Sequence, residues 1–150
     1  KMVASYLVGS GGGARSYHHT APISMCYGIR EALSICCEEG LEARWKRHRE
    51  VAEFFWVELE KIGLECHVSK DYRLPSLTTV KVPEGVDSKK LTKLLLEKYQ
   101  MEIGNGLGDL AGKVWRIGLM GYNSRFDVAM TVVAALKDGL EQQGKLKMKV

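Results

Sequence analysis

Several features are scarce in this 150-residue sequence, and each absence excludes a class of protein. No apolar run approaches the roughly 20 residues of a membrane-spanning helix, and the amino terminus lacks the charged, apolar and small-residue succession of a secretory signal. A soluble, intracellular chain with no membrane partner is expected. The cysteines, at positions 26, 36, 37 and 66, contain no Cys-x-x-Cys spacing for zinc or redox work. They are expected to be reduced and mostly buried. Charge of one sign is scarce too: 22 Lys and Arg are interspersed with 18 Asp and Glu, and a net charge of +4 imposes no strong single-sign field. The basic tail Lys145-Leu146-Lys147-Met148-Lys149-Val150 does not end in the Ser-Lys-Leu peroxisomal address, which leaves the compartment open.

What is present is an ordinary globular composition: 45% hydrophobic and 27% charged residues over a length that suits one compact domain. Residues 1–16 carry the tract Gly9-Ser10-Gly11-Gly12-Gly13 and read as a flexible or engineered linker, with Lys1 an unusual natural first residue. The tract could cradle a phosphate, but it lacks the Gly-Lys-Ser/Thr ending of a P-loop and no helical period follows it directly. From Ile23 to Glu39 the apolar positions Cys26, Ile29, Leu33 and Cys36 predict a helix closed by Gly40. Leu41, Trp45, His48, Ala52, Phe55, Leu59 and Ile62 then form one stripe of a second helix, stopped by Gly63.

Leu64–Val68 and Leu77–Val82 read as paired strands. Asp87 caps a helix carrying Leu91, Leu94 and Leu95, a strand near Ile103 precedes the turn Gly104–Gly108, Val114–Leu119 is another strand, and a last amphipathic helix begins after Ser124. This order predicts an α+β fold, a small and mainly antiparallel sheet with helices packed on one face. No repeat of 20 to 50 residues supports a solenoid.

Two groups could carry chemistry. Tyr17-His18-His19-Thr20 crowds donors before Ala21-Pro22 and the first helix, where they could hold a phosphate together with the helix amides. The alternative is a hydroxyl cap with surface histidines, and adjacent histidines lack the i, i+4 spacing that aims two rings at a metal. Arg116 shares a strand face with Val114 and Gly118, while Trp115, Ile117 and Leu119 point the other way. Its planar fork needs a carboxylate, supplied either by an internal Asp or Glu or by a substrate. The basic cluster Arg44, Lys46, Arg47, His48 and Arg49 spreads around more than half of its helix between Glu42 and Glu50, which favours a solvated face over a nucleic-acid site.

Tyr17-His18-His19-Thr20-Ala21-Pro22, Tyr27-Gly28-Ile29-Arg30-Glu31-Ala32-Leu33, Glu39-Gly40-Leu41-Glu42, Trp45 and His48-Arg49 are joined by Leu74-Pro75-Ser76-Leu77-Thr78-Thr79-Val80, Glu102-Ile103, Gly106-Leu107-Gly108, Gly112-Lys113-Val114 and Arg116-Ile117-Gly118-Leu119-Met120-Gly121. Across roughly residues 17 to 143 this series resembles the alanine:glyoxylate (serine:pyruvate) aminotransferases, class-V enzymes dependent on pyridoxal 5′-phosphate (PLP); residues 1–16 show no such resemblance. The resemblance implies that 17–150 form the carboxy-terminal small domain of a homodimer, partnered by a preceding large domain and a second subunit. It further implies that Tyr17 and Thr20 reach the PLP phosphate of the neighbouring subunit, and that Arg116 grips the carboxylate of a small amino acid or 2-oxo acid. The family's PLP-anchoring lysine belongs to the large domain, so this segment is expected to be inactive alone. A peroxisomal or mitochondrial location also follows from the resemblance. A 3-hydroxykynurenine transaminase shares the framework, and a stand-alone interaction module is the rival from another class.

Overall fold

A computed structural model describes residues 19–148. The expected linker, Tyr17 and His18 lie outside the described residues. The chain divides into two compact units, Lys1–Leu41 and Glu42–Val150, each taken by itself below.

In the first unit Pro22 holds the chain ahead of helix α1 (Ile23–Glu39), and its carbonyl accepts the Cys26 N–H at 3.1 Å. Gly40 ends the helix with φ 81°, donating its N–H to Cys36 O at 3.0 Å. The helical period was legible, but α1 has no buried residue: Ile29 is 60% and Leu33 59% exposed. The four cysteines are free, yet only Cys66 is buried, while Cys26 and Cys37 are exposed and Cys36 is half-buried. The expectation of mostly buried thiols is thereby corrected. An amphipathic stripe fixes the helix and its face, but not the surface that covers that face.

Helix α2 (Leu41–Lys61) crosses into the second unit and buries Val51, Ala52, Phe55, Trp56 and Leu59. Its predicted stripe holds from Ala52 to Ile62, whereas Leu41 and Trp45 remain exposed. Strands β1 (Leu77–Lys81), β2 (Gly104–Asn105) and β3 (Val114–Gly118) build a three-stranded antiparallel sheet in the order β1-β3-β2. Thr79 pairs with Arg116, which pairs on its other side with Gly104. The expected strand Leu64–Val68 is reduced to one antiparallel bridge, Cys66 to Val80, flanked by bonds from His67 N–H to Thr79 O and from Lys81 N–H to Glu65 O, both 2.8 Å. It does pair with β1, in antiparallel sense, but departs after His67. The strand expected near Ile103 instead occupies Gly104–Asn105, the first residues of the expected turn.

Helix α3 (Ser88–Tyr99) starts where Asp87 accepts the Lys90 N–H at 3.0 Å, the foreseen cap. Helix α4 (Phe126–Gln142) buries Ala129, Val132, Val133, Ala135, Leu136, Gly139 and Leu140. These helix faces join Val80, Trp115 and Ile117 of the sheet in one core, the α+β layering read from the sequence. Both deeply placed indoles are satisfied: Trp56 Nε1 donates to Thr78 Oγ1 at 2.9 Å and Trp115 Nε1 to Ser88 Oγ at 2.8 Å. No helix among the described residues is long and apolar enough to cross a membrane.

Helices α3 and α4 are also tied by polar contacts. Asp138 Oδ2 accepts from Lys98 Nζ at 2.9 Å, Tyr99 Oη at 2.9 Å and Gln142 Nε2 at 3.0 Å. The Lys98 bond, then those of Gln142 and Tyr99, holds the carboxyl below its ordinary value of 3.8. A lowered folded-state pKa contributes stability above the unfolded value and loses it as pH falls through the folded one. Urea unfolding midpoints measured from neutral pH down into the acid range are expected to fall less steeply for Asp138→Asn than for the unaltered chain. Leu136, fully buried in the core, sets a second expectation: Leu136→Ala lowers the unfolding free energy by about 2–5 kcal/mol in the same assay, through lost transfer energy and the cavity left behind.

Candidate functional site

Period-two alternation along β3 directs Trp115 and Ile117 into the core, at 0% and 3% exposure, and leaves Arg116 half-buried on the opposite face. Val114, on the Arg116 face, is buried outside the main cluster. The sequence left open whether an internal carboxylate or a ligand satisfies Arg116. Among the described residues no Asp or Glu pairs with it. Its Nε donates to the main-chain carbonyl of Asn105 at 2.8 Å, and neither Nη1 nor Nη2 is bonded to a described residue. The end of the fork is therefore available to an anion with two oxygens.

The turn that follows β3 is held from two sides. Gly121, at φ 60°, adopts a left-handed conformation that side chains disfavour. Its N–H donates to His48 Nε2 at 3.0 Å, and its carbonyl accepts from Arg47 Nη1 at 2.9 Å. Arg47 Nη1 also donates to Ser124 O at 2.8 Å. Because His48 accepts through Nε2, its proton resides on Nδ1, which donates to Arg44 O at 2.7 Å. The reading of this basic cluster as a solvated face is thus too simple. Arg47 and His48 are half-buried and grip a backbone turn, while Lys46 and Arg49 remain exposed. A signal was present: His48 occupies a position where the stripe of α2 calls for an apolar residue.

Thr20 is exposed and sits two residues before Pro22. Helix α1 begins with no side-chain cap and no acidic residue in its first turn, an arrangement that suits an anion better than a cation. His19 is exposed as well. Thr20 belongs to the first unit and Arg116 to the second.

Other reactive groups are quiet. Cys66 lines a small cavity of about 110 Å³ with Trp56, Arg73 and Thr79. Burial pushes its thiol up, with Arg73 only partly opposing, which disfavours the thiolate form. None of the described lysines is buried. Lys98 is shifted upward, first by its hydrogen bond to Asp138 and then by Tyr99 beside it, opposite to what a nucleophilic amine requires. No cluster of metal-ligating side chains occurs among the described residues.

Comparison with known proteins places this arrangement in a wider group. Alanine–glyoxylate aminotransferase of Callithrix jacchus is 41% identical over 143 residues, covering 95% of this chain and 34% of that protein. The crystal structure of an alanine–glyoxylate aminotransferase from Nostoc sp. superposes with a TM-score of 0.80 at 52% identity, over 86% of this chain and 34% of that one. Pyridoxamine–pyruvate aminotransferase from Mesorhizobium loti gives 0.81 at 30% identity, over 89% and 34%. The chain thus spans about a third of the length of the relatives it matches. The pattern of the aminotransferase class-V family covers residues 7–130, ten residues further toward the amino terminus than the resemblance legible in the sequence. With β3, Arg116 and the gripped Gly121 turn all inside that match, the chain belongs to the PLP-dependent class-V aminotransferase family.

Proposed function

We propose that this chain is the carboxy-terminal small domain of an aminotransferase of the alanine:glyoxylate or serine:pyruvate type, with residues 17–150 as the domain and 1–16 as the joint before it. The observation that carries the reading is Arg116, a half-buried guanidinium on a supported strand with its terminal nitrogens unbonded and no carboxylate partner among the described residues. The relatives are named for different amino donors, alanine and pyridoxamine, but their acceptors, glyoxylate and pyruvate, are both small 2-oxo acids. A bidentate carboxylate site suits what those acceptors share. A 3-hydroxykynurenine donor is compatible with the same framework.

PLP, when bound, supplies an electron sink that stabilises the carbanion formed at the substrate's α-carbon. The described residues fit two of the roles such a site needs. Arg116 orients the substrate through its carboxylate, converting a diffusing partner into a held one. Thr20 precedes an α1 start that carries no acidic side chain, a setting for the cofactor phosphate of a neighbouring subunit, and the resemblance assigns Tyr17 to the same phosphate. They do not fit the covalent role, because none of the described lysines is buried. The lysine is therefore assigned to a large domain elsewhere in the full protein, and the working form is a homodimer in the peroxisome or mitochondrion. This chain by itself is inactive.

Titration of the chain with pyruvate, followed by the amide and side-chain resonances of β3, tests the reading. Arg116→Lys is expected to weaken the response by about tenfold, because a point charge replaces a planar fork. An unchanged response would remove Arg116 from the site.

A further inference from the structure

Strand β2 is two residues long and edges the sheet beside β3. Its first residue, Gly104, is the register partner of Arg116. Glycine is an unfavourable choice in a strand, since it adds chain entropy and offers nothing to pack. Backbone conformation does not demand it, because Gly104 is not among the glycines with positive φ.

What distinguishes the position is the side chain beside it. A Cβ placed on Gly104 would lie 3.2 Å from Arg116 Nη2 and 3.5 Å from its Cζ. The guanidinium therefore rests on the bare backbone of β2, with Nε bonded to Asn105 O at 2.8 Å. A guanidinium can meet a carboxylate along its side, through Nε and Nη2, or along its end, through Nη1 and Nη2. The Asn105 carbonyl occupies the side, and the end is left.

We propose that Gly104 is a positioning residue for Arg116: its missing side chain lets the guanidinium lie across β2, locked by the Asn105 carbonyl, so that the end of the fork faces the carboxylate of a small 2-oxo acid. This inference rests on the carboxylate-binding role of Arg116 proposed above. A methyl group at 104 crowds Nη2, and a branched side chain pushes the fork off the Asn105 carbonyl. Stability moves the other way, because a β-branched residue suits a strand better than glycine does.

The test compares the unaltered chain with Gly104→Ala, Gly104→Val and Arg116→Lys by thermal unfolding, by the Nε–H resonance of Arg116 and by pyruvate titration. Gly104→Val is expected to keep or raise the unfolding midpoint, to shift the Arg116 Nε–H signal and speed its exchange with solvent, and to weaken pyruvate binding by about tenfold. Gly104→Ala lies between, and carries the test if the valine variant does not fold. An unmoved Nε–H signal with unaltered pyruvate binding in a folded Gly104 variant, while Arg116→Lys still weakens binding, overturns the role of Gly104 alone. Loss of any difference between Arg116→Lys and the unaltered chain, or no pyruvate response in the unaltered chain, overturns the carboxylate reading beneath it.

Discussion

Strand β3 has to satisfy two environments at once. Trp115 and Ile117 are enclosed by the core, while Arg116 between them keeps its charged end away from that core. A slip of one residue in either pairing would exchange the two sets, burying a guanidinium without a counter-charge and exposing an indole. Pairing on both edges prevents this: Thr79 of β1 and Gly104 of β2 flank Arg116 in the same row. The indole adds a further lock, since Trp115 bonds Ser88 at the start of α3 and so ties the register of the strand to the position of a helix. The placement of the one charged group on β3 thus depends on the burial of its neighbours.

Support continues beyond the strand. Consecutive residues of α2, Arg47 and His48, take the carbonyl and the N–H of Gly121, so both polar groups of this left-handed turn residue are satisfied by side chains from one rigid element. On the other side of the sheet, Trp56 and Thr78 close a hydrogen bond inside the core. The substrate-orienting role proposed for Arg116 requires fixed supports, and the strand, the carbonyl of Asn105 and the anchored turn supply that fixity.

Much of this was legible in the residues. The three-and-four spacing marked α2, α3 and α4, the alternation around Trp115 separated Arg116 from the core, and Asp87 announced its cap. Other features depend on contacts far apart in sequence. The segment Leu64–Val68 has strand composition, but it pairs with β1 only around Cys66, and composition does not set where a partner ends. The stripe of α1 gives the helix and not its covering, which is why Cys26 on that stripe is exposed rather than buried. The seat of Arg116 on the Asn105 carbonyl was hidden because it requires the β2–β3 register, which a glycine-rich stretch does not reveal. Tyr17, which the resemblance assigns to the cofactor phosphate, lies outside the described residues.

The chain is proposed to carry the substrate-orienting part of an aminotransferase site without the lysine that anchors the cofactor. The most direct measurement adds PLP to the purified chain, assays pyruvate formation from alanine and glyoxylate, and then reduces with borohydride and locates any modified lysine by mass spectrometry. No turnover and no lysine modified in stoichiometric amount are expected. One lysine labelled stoichiometrically, together with PLP-dependent pyruvate formation, would contradict this.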